Sequence, residues 1–387
     1  MRGPWQLLGV AVLAQLGVSV VDQGLPTLTG FVKADLRLSA ATAGLVVSCF
    51  SFGRIFGSYG AGVAADRLGE RRILVVGGIA TGLLVGAAVA GPLPLLFPLL
   101  VLAGMASAAS TPAGGRLVLL AFPRERHGLA LGIRQCGIPL GGLVAAALLP
   151  RIAHAWTWRW SLAAAGMLTI ALVLPLARIA VGRDVEAVPH RERGAHPARD
   201  RNVVLLTAWS CLVVTGQYAV LAFLALYLHQ AGRLSLAAGS LLVAFANACG
   251  ILGRVFWGAA SDRVLVRGRK PLLLVLTSAG LASALLLTAV PPSAPLGVLL
   301  LVAGLAGLAL IGYQGLWITM IAEAAGPARV GAATGFAVTF VTVAIASTAP
   351  LYGLAADLAG SYRAVWVVLS CVLLLALVPA SLVRERR

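Results

Sequence analysis

The sequence predicts an all-α membrane protein with twelve transmembrane helices in two pseudo-symmetric six-helix bundles. Of its 387 residues, 60% are apolar and only 11% are charged, whereas about 25% of the residues in a soluble domain are charged. The apolar residues form twelve runs long enough to cross a bilayer. Short matches also recur, in the same order, in both halves of the chain. These observations exclude a soluble enzyme, a secreted disulfide scaffold and a disordered chain.

Polar residues and prolines separate the twelve apolar runs, and all twelve reach the roughly 20 residues that a membrane-spanning helix needs. Residues 91–94 and 291–295 are short, proline-containing connections, which predicts tight hairpins between spans 3 and 4 and between spans 9 and 10. The predicted spans cover residues 5–27, 40–63, 73–92, 95–121, 128–150, 160–181, 202–228, 236–259, 271–290, 296–322, 331–354 and 364–383.

The longest polar segment, residues 182–201, lies near the middle of the chain and is charged and proline-containing. Such a composition is typical of a linker between domains. We therefore expect an N-terminal six-helix bundle at residues 1–181, a cytoplasmic linker at 182–201 and a C-terminal six-helix bundle at 202–387.

Positive charge is distributed unevenly between the two sides of the predicted spans. Of the 30 lysine and arginine residues, twenty lie on the side that holds the termini and the linker, six lie on the opposite side, and four lie within spans. Because cytoplasmic loops carry the excess of lysine and arginine, both termini should face the cytoplasm. The formal net charge of +17 then reflects orientation in a lipid bilayer, and nucleic acid is not expected as a partner.

The five cysteines are scattered inside apolar runs, a pattern that gives neither a disulfide framework nor a set of metal ligands. We expect them to be packing residues, and we expect neither a metal nor a cofactor. The first apolar run is too long for a signal peptide and is followed by further spans, so it should be a first transmembrane helix. The abundance of alanine, glycine and arginine favours a bacterial source, and the expected location is the cytoplasmic membrane.

The two halves of the chain carry ordered matches. The segment 126–132 resembles 329–335 at a displacement of 203 residues, and several earlier residues match at a displacement of 196. Parallel repeats of six spans are a transporter architecture in which the binding site lies at the interface between the repeats. The pairs at a displacement of 196 are Arg37 and Arg233, Gly57 and Gly253, Asp66 and Asp262, and Arg67 and Arg263.

The segment from Gly62 to Arg72 has the pattern G-x-x-x-D-R-x-G-x-R-R, and the segment from Gly258 to Arg263 repeats it in reduced form. Together with twelve spans, a central linker and two similar halves, this pattern resembles the signature loop of the major facilitator superfamily. The resemblance covers essentially the whole chain and implies a secondary transporter, which we expect to act as a monomer. The residues that match the motif are Gly62, Asp66, Arg67, Gly69, Arg71 and Arg72 in the first copy and Gly258, Asp262 and Arg263 in the second.

The chemistry of the motif predicts a gate. Gly62 allows two helices to approach closely. Asp66, at a helix end, can meet the positive N-terminus of a neighbouring helix, and the arginines can pair across the domain interface. The resemblance implies that this loop is a latch that holds the cytoplasmic side closed. The second copy has Leu265 where the family has a glycine, which leaves its tight turn open to question.

A partial resemblance concerns span 5, whose glycines and proline are similar to the fifth-span motif of the family's antiporters. Ile138 interrupts the Gly-Pro dipeptide of that motif. Helix packing and bending is therefore the favoured role, and antiport is not inferred. The residues concerned are Gly128, Gly137, Pro139, Gly141 and Gly142.

Four arginines lie within predicted spans, where ionisable residues are costly and mark functional sites. Arg254 precedes Asp262 by eight residues, about 12 Å along a helix, and shares one helix face with Asn247 and Gly258. This arrangement is similar to that of monocarboxylate transporters and oxalate:formate antiporters, which implies that Arg254 binds a substrate carboxylate. An arginine on span 2, Arg54, together with one on span 8 is also similar to nitrate porters.

Two guanidinium groups at a domain interface can hold a small carboxylate or oxyanion through paired hydrogen bonds. Arg134 and its neighbour Gln135 in span 5 could line the same cavity, whereas Arg116 lies nearer the cytoplasmic end, where a role in the gate or in structure is favoured. The alternative for each arginine is a hydrogen bond to helix carbonyls within its own half. Tyr313 and Trp317 share a helix face, so packing is an equal alternative for them. A substrate contact is also predicted for Asn247, and secondary contacts are predicted for Gln217, Tyr218, Tyr313, Gln314 and Trp317.

Asp22 is the one clear acidic residue within a predicted span. It could take up a proton during transport, and the equal alternative is that it caps a helix in an outer loop. Four arginines against one aspartate favour an anionic cargo. Drug exporters commonly use acidic cavities to bind cations, and a sugar-binding cavity would need more polar side chains than this sequence provides.

Two other classes of membrane protein are less consistent with the sequence. The chain has no His-Glu-x-x-His motif, no paired intramembrane aspartates and no nucleophile–base set, which argues against an intramembrane enzyme and its catalytic residues. Two similar halves with a latch loop favour alternating access over a channel.

The sequence therefore predicts an alternating-access carrier that moves a small organic anion, a carboxylate, across the cytoplasmic membrane, with proton coupling left open. The alternative is a proton-coupled multidrug efflux antiporter of the same superfamily. The expected partners are the small-molecule substrate, the lipid bilayer and protons.

Overall fold

A computed structural model of the chain describes residues 3–37, 40–91, 93–178, 196–230, 234–264, 268–289 and 294–384, and every regular element within these ranges is a helix. The first bundle consists of span 1 (Pro4–Asp35), span 2 (Ala40–Leu68), span 3 (Glu70–Ala90), span 4 (Leu93–Ser107 and Ser110–Ala121), span 5 (His127–Gln135 and Gly137–Ala155) and span 6 (Trp158–Arg178). The second bundle consists of span 7 (Arg201–Gln230), span 8 (Leu236–Arg263), span 9 (Lys270–Ala289), span 10 (Leu296–Ala306, a π-turn at Gly307–Ile311, and Gln314–Ala325), span 11 (Val330–Ala359) and span 12 (Arg363–Leu382). Short 3₁₀ turns precede spans 5, 7 and 11 at Arg124–Arg126, Pro197–Arg199 and Pro327–Arg329.

The helices have the length and the surface of membrane spans. In the described ranges, eleven helices are long and apolar enough to cross a membrane. Span 2 has 29 residues, about 43 Å at 1.5 Å per residue, which is also long enough to cross a bilayer. Large apolar side chains such as Leu241 (73% exposed) and Leu358 (81% exposed) cover the outside, as contact with lipid requires. The predicted all-α membrane fold is confirmed.

Several helices end later than predicted, because hydrophobicity marks the membrane and not the end of the helix. Span 1 was expected to end near residue 27 but continues to Asp35, with Pro26 inside it. Span 11 was expected to end near residue 354 but continues to Ala359. It stops at Gly360, whose φ of +62° lies in the left-handed region that favours glycine.

Three spans predicted as single helices are interrupted near mid-length. Span 4 breaks at residues 108–109, span 5 breaks at Cys136, and span 10 contains the π-turn Gly307–Ile311. In spans 4 and 5 the break comes shortly before a proline, Pro112 or Pro139, whose nitrogen cannot donate to the preceding turn. Such irregular backbone is tolerated inside a membrane protein where it faces other protein groups.

The two bundles meet along two pairs of spans. Span 2 packs along span 11, and span 5 packs along span 8. Since span 8 is the repeat of span 2 and span 11 is the repeat of span 5, the two pairs are copies of one contact. The end of the molecule where spans 2 and 8 finish and residues 196–201 enter span 7 is called the linker end below. Most of the predicted linker, residues 182–195, lies outside the described ranges, so the predicted domain boundaries stay predictions.

Candidate substrate site and gate

At the linker end, Asp66 joins the two bundles. Its side chain accepts hydrogen bonds from the backbone N–H groups of Gly331 (2.9 Å) and Ala332 (2.7 Å), near the start of span 11. The first N–H groups of a helix have no partner within the helix and carry its positive dipole end. A carboxylate from span 2 therefore caps a helix of the other bundle.

The same contact occurs at the second joint, between spans 8 and 5. Asp262 accepts hydrogen bonds from the backbone N–H groups of Gly128 and Leu129, each at 2.8 Å. Asp262 follows Asp66 by 196 residues, and Gly331 follows Gly128 by 203. The two displacements found in the sequence therefore belong to one contact that is built twice, with the roles of the bundles exchanged.

Glycines allow the backbones to meet at both joints. A Cβ atom on Gly62 would overlap the carbonyl of Gly331, and a Cβ atom on Gly258 would overlap the carbonyl of Gly128. Each of these motif glycines lies four residues, about one helical turn, before its aspartate. The glycine brings the helices together, and the aspartate one turn later caps the partner helix.

Buried ion pairs lie behind the first joint. Arg116 of span 4 contacts Asp66, with Nε 3.3 Å from Oδ1, and forms a second ion pair with Glu70. Arg116 and Glu70 are each only 3% exposed. Arg116 thus belongs to the linker end and not to the centre of the membrane.

Behind the second joint the signs of the charges are exchanged. Arg269, directly before span 9, contacts Asp262 (Nη2 to Oδ1, 3.4 Å) and Glu323 (Nε to Oε2, 3.4 Å). Arg124 also contacts Glu323, at 3.2 Å. Arg269 therefore has, beside span 9, the position that Glu70 has at the start of span 3. Its partner is a glutamate, Glu323, whereas the partner of Glu70 is an arginine, Arg116.

The turn after each aspartate is made by a glycine with positive φ. Gly69 has a φ of +93° and Gly268 a φ of +90°, a region that favours glycine. Gly69 follows its aspartate by three residues, whereas Gly268 follows its aspartate by six. The second half therefore has a turn glycine, three residues later than the position of Leu265, which lies outside the described ranges.

The other arginines of the motif lie towards the surface. Asp66 forms an ion pair with Arg116, and Asp262 forms one with Arg269. Pairing of the motif arginines across the interface stays a prediction. The residues concerned are Arg67, Arg72 and Arg263, which are exposed, and Arg71, which is half-buried.

At the centre of the first bundle, Arg134 is 0% exposed. Its Nη2 donates to Oε1 of Gln15 (2.7 Å) and to the carbonyl of Ser110 (2.5 Å), and its Nη1 donates to Oε1 of Gln135 (3.1 Å). Gly114 provides the space, since a Cβ atom there would overlap the guanidinium. Neutral oxygens therefore hold this buried charge.

A chain of glutamine amides continues from Arg134 into the second bundle. Nε2 of Gln135 donates to Oε1 of Gln314 (3.3 Å), and Nε2 of Gln314 donates to Oε1 of Gln217 (3.3 Å). The chain crosses the boundary between the bundles and connects spans 5, 10 and 7. Gln314 begins the helix that follows the π-turn of span 10, a kind of irregularity that is frequent at functional sites.

Arg254 of span 8 reaches the same level from the opposite bundle. It is 1% exposed, and its Nη1 donates to the backbone carbonyl of Gln135 (2.5 Å). Its buried Nε has no hydrogen-bond partner among the residues that the structure describes. The neighbouring Cys136 Sγ lies 3.7 Å from the carbonyl of Ile251. Arg254 and Arg134 thus approach Gln135 from the two bundles.

Arg54 of span 2 and Asp22 of span 1 form an ion pair. Asp22 lies inside the first helix, thirteen residues before its end at Asp35, which excludes the alternative that it caps a helix in an outer loop. The side chains of the pair are 24% and 18% exposed. Tyr218 lies within electrostatic range of Asp22, Arg54 and Arg254.

Three predicted contact residues lie apart from these hydrogen bonds. Tyr313 is 0% exposed and packs edge-on against Trp209, with ring centroids 5.5 Å apart. Trp317 Nε1 donates to the carbonyl of Leu206 (3.1 Å). Both aromatic residues therefore take part in the core of the second bundle, as the packing alternative expects. Asn247 is half-buried, two helical turns before the buried arginine of span 8.

Several residues that form hydrogen bonds or ion pairs with the predicted site residues were not predicted from the sequence. Gln15 lies seven residues before Asp22 and so on the same face of span 1, and a polar residue inside an apolar run was the available signal. Ser110 contributes a backbone carbonyl, which no residue type reveals. Glu70 and Arg269 stand at helix starts, where charged residues are ordinary, so nothing singled them out.

Two six-span repeats that meet in a polar network within their spans define a class of protein: a membrane transporter built from parallel repeats. The sequence model of the Major Facilitator Superfamily matches residues 7–349 and 235–387. The chain belongs to this superfamily, whose members are transporters and not enzymes. The family predicted from the motif is confirmed, whereas the resemblance to monocarboxylate, oxalate:formate and nitrate porters stays a prediction.

Relatives and solved structures agree with this family. The chain is 32% identical over 320 residues to an uncharacterised MFS-type transporter of Mycobacterium tuberculosis. The alignment covers 80% of this chain and 70% of the relative. It is 33% identical over 132 residues to the hexuronate transporter of Bacillus subtilis, and this alignment covers 34% of this chain and 31% of the relative. The proton:xylose symporter XylE has the same fold, with a TM-score of 0.76 at 16% identity, over 99% of this chain and 96% of that chain.

Proposed function

We propose that this protein is an alternating-access carrier that moves a small organic anion, a carboxylate, across the cytoplasmic membrane, with its linker end facing the cytoplasm. One observation carries the proposal. Among the described residues, Arg54, Arg116 and Arg269 each contact a carboxylate, whereas the buried Arg134 and Arg254 contact only neutral oxygens.

The energetics of buried charge explain why this imbalance points to an anion. A guanidinium removed from water is costly unless an opposite charge compensates it. Two such groups at the boundary between the bundles leave a positive potential there, which an anionic cargo would neutralise. Arg254 is the better candidate for direct contact, because within the described ranges its guanidinium donates one hydrogen bond, to the Gln135 carbonyl, whereas that of Arg134 donates three. The amides of Gln135, Gln314 and Gln217 could orient the rest of the cargo.

The name of one relative is consistent with this class of cargo, since a hexuronate is a sugar carboxylate. That relative aligns with about a third of this chain. Rigid-body rocking of residues 1–181 against 202–387 would expose the site to each side in turn.

A ligand screen tests the proposal. Purified protein in detergent is heated with small mono- and dicarboxylates, with inorganic oxyanions or with cationic drugs, and its melting temperature is recorded. Binding to the folded state raises the melting temperature by mass action, so we expect at least one carboxylate to stabilise the protein. Stabilisation by cationic drugs alone would instead favour the multidrug efflux antiporter.

The Asp22–Arg54 pair makes proton coupling testable. An anion near Arg54 would compete with Asp22 for the guanidinium, and a buried carboxylate without a cation binds a proton readily. We expect Asp22→Asn to abolish uptake driven by a proton gradient in proteoliposomes while exchange of labelled for unlabelled cargo continues. Asp35→Asn is the matched control, because Asp35 ends the same helix, where it accepts a hydrogen bond from Trp158. Gradient-driven uptake by Asp22→Asn at the wild-type rate would contradict the coupling role.

A further inference from the structure

The carbonyl of Gln135 has an unusual position in span 5. In an α-helix this oxygen would accept the N–H of the residue four positions later. That residue is Pro139, which has no N–H to donate. The proline therefore leaves one backbone acceptor without its helical partner in the middle of the molecule, where an unsatisfied polar group is costly.

Arg254 fills this vacancy from the other bundle. Its Nη1 lies 2.5 Å from the Gln135 carbonyl, and both groups are shielded from water, since Gln135 is 2% exposed and Arg254 1% exposed. Gly132, one turn earlier in span 5, packs against the backbone of Arg254, where a Cβ atom would overlap the carbonyl. The close approach of the two helices thus brings the guanidinium to the one carbonyl that the proline exposes.

We propose that Pro139 is a positioning residue for transport: it provides the resting partner of Arg254, which the cargo must displace. The inference rests on the proposed function and adds a mechanism to it. In the structure, the hydrogen bond between Arg254 and the Gln135 carbonyl joins span 8 to span 5. An anion that binds Arg254 competes with this carbonyl, so that cargo binding weakens a direct contact between the bundles. The contact with the carbonyl therefore lowers the affinity of Arg254 for the cargo, and its loss on cargo binding makes it easier for the two bundles to move.

Replacing Pro139 by alanine tests this mechanism. Alanine has an N–H that can bond to the Gln135 carbonyl, which removes the need for Arg254 there. A hydrogen bond to a charged group is worth about 1.5–3 kcal/mol, so losing the competitor should tighten cargo binding by about tenfold. The measurement is the Kd of the purified protein for the carboxylate that stabilises it most, together with KM and maximal rate in proteoliposomes. We expect a lower Kd, a lower KM and a lower maximal rate.

Pro150→Ala is the matched control, since Pro150 lies in the same helix and four residues after Ala146, which faces the outside. This control should leave Kd unchanged. A proline that only bends the helix would give an unchanged or weaker Kd in Pro139→Ala, and either result would overturn the proposal. The melting temperature without ligand shows that the variant is folded.

The outcome can be separated from failure of the proposed function. If wild-type protein binds no carboxylate, the anion proposal fails before Pro139 is tested. If wild-type protein binds one and Pro139→Ala binds it no more tightly, the role of Pro139 fails and the anion proposal stands.

Discussion

Replacing Arg254 by alanine should abolish carboxylate transport while leaving expression and folding intact. The side chain is buried at the boundary between the bundles, and in the proposed site it provides two or more charge-assisted hydrogen bonds to the cargo. At about 1.5–3 kcal/mol each, their loss lowers affinity by at least about 100-fold. Uptake of labelled substrate into proteoliposomes, with protein content matched by quantitative blotting, measures the effect.

The controls for Arg254 separate charge from shape. Arg254→Lys keeps the charge but cannot form paired hydrogen bonds with a carboxylate, so we expect a partial loss of affinity. Arg178→Ala removes an exposed arginine at the end of span 6 and should transport normally. Wild-type uptake by Arg254→Ala would remove the main support for an anionic cargo, even if carboxylates still stabilised the purified protein.

Much of the fold could be predicted from the sequence, because lipid imposes simple requirements on a chain. A span must be apolar over a fixed thickness and must satisfy its own backbone hydrogen bonds, so apolar runs locate the helices. The two joints between the bundles were also predictable in outline. Asp66 and Asp262 stand at a constant displacement, each one turn after a glycine, and such a repeat predicts that any contact made by one is made by the other.

The polar partners could not be predicted, because they depend on how helices distant in sequence face each other. Arg134 contacts Gln15, which is 119 residues away, and the sequence alone offers many equally plausible acceptors. Helix breaks add to the difficulty, since the turn of backbone before Pro139 decides which carbonyl is available to Arg254. The second ion-pair cluster has Arg269 at the position where the first has Glu70. A search for residues that are identical in the two halves therefore does not find it.

If the two joints at Asp66 and Asp262 act as a gate, they predict how opening of the linker end responds to mutation. If the bundles move as rigid bodies, the contacts of Asp66 with span 11 and of Asp262 with span 5 break in the same step, so their free energies add. Asparagine at either position removes the charge and offers one oxygen in place of two. We expect each single variant to lose about 1.5–3 kcal/mol, which shifts the population towards the open state by about 10- to 100-fold.

Cys136 can report this shift. It is 7% exposed, and its sulfur faces Ile251 across the boundary between spans 5 and 8, so separation of these spans should admit a water-soluble maleimide. In a background without the other four cysteines, the labelling rate from the linker side measures the open fraction. Cys49, Cys211, Cys249 and Cys371 are the residues to replace.

The double variant Asp66→Asn/Asp262→Asn distinguishes a concerted gate from two independent ones. For concerted opening, its labelling rate relative to wild type should equal the product of the two single-variant ratios until the protein is mostly open, because free energies at distant sites add. A double variant no faster than the faster single variant would mean that one joint alone limits opening. The repeat also requires similar ratios for the two single variants, since each aspartate caps its helix through two backbone N–H groups at 2.7–2.9 Å. A large inequality would place the difference in the ion pairs behind the joints, Arg116 with Glu70 against Arg269 with Glu323.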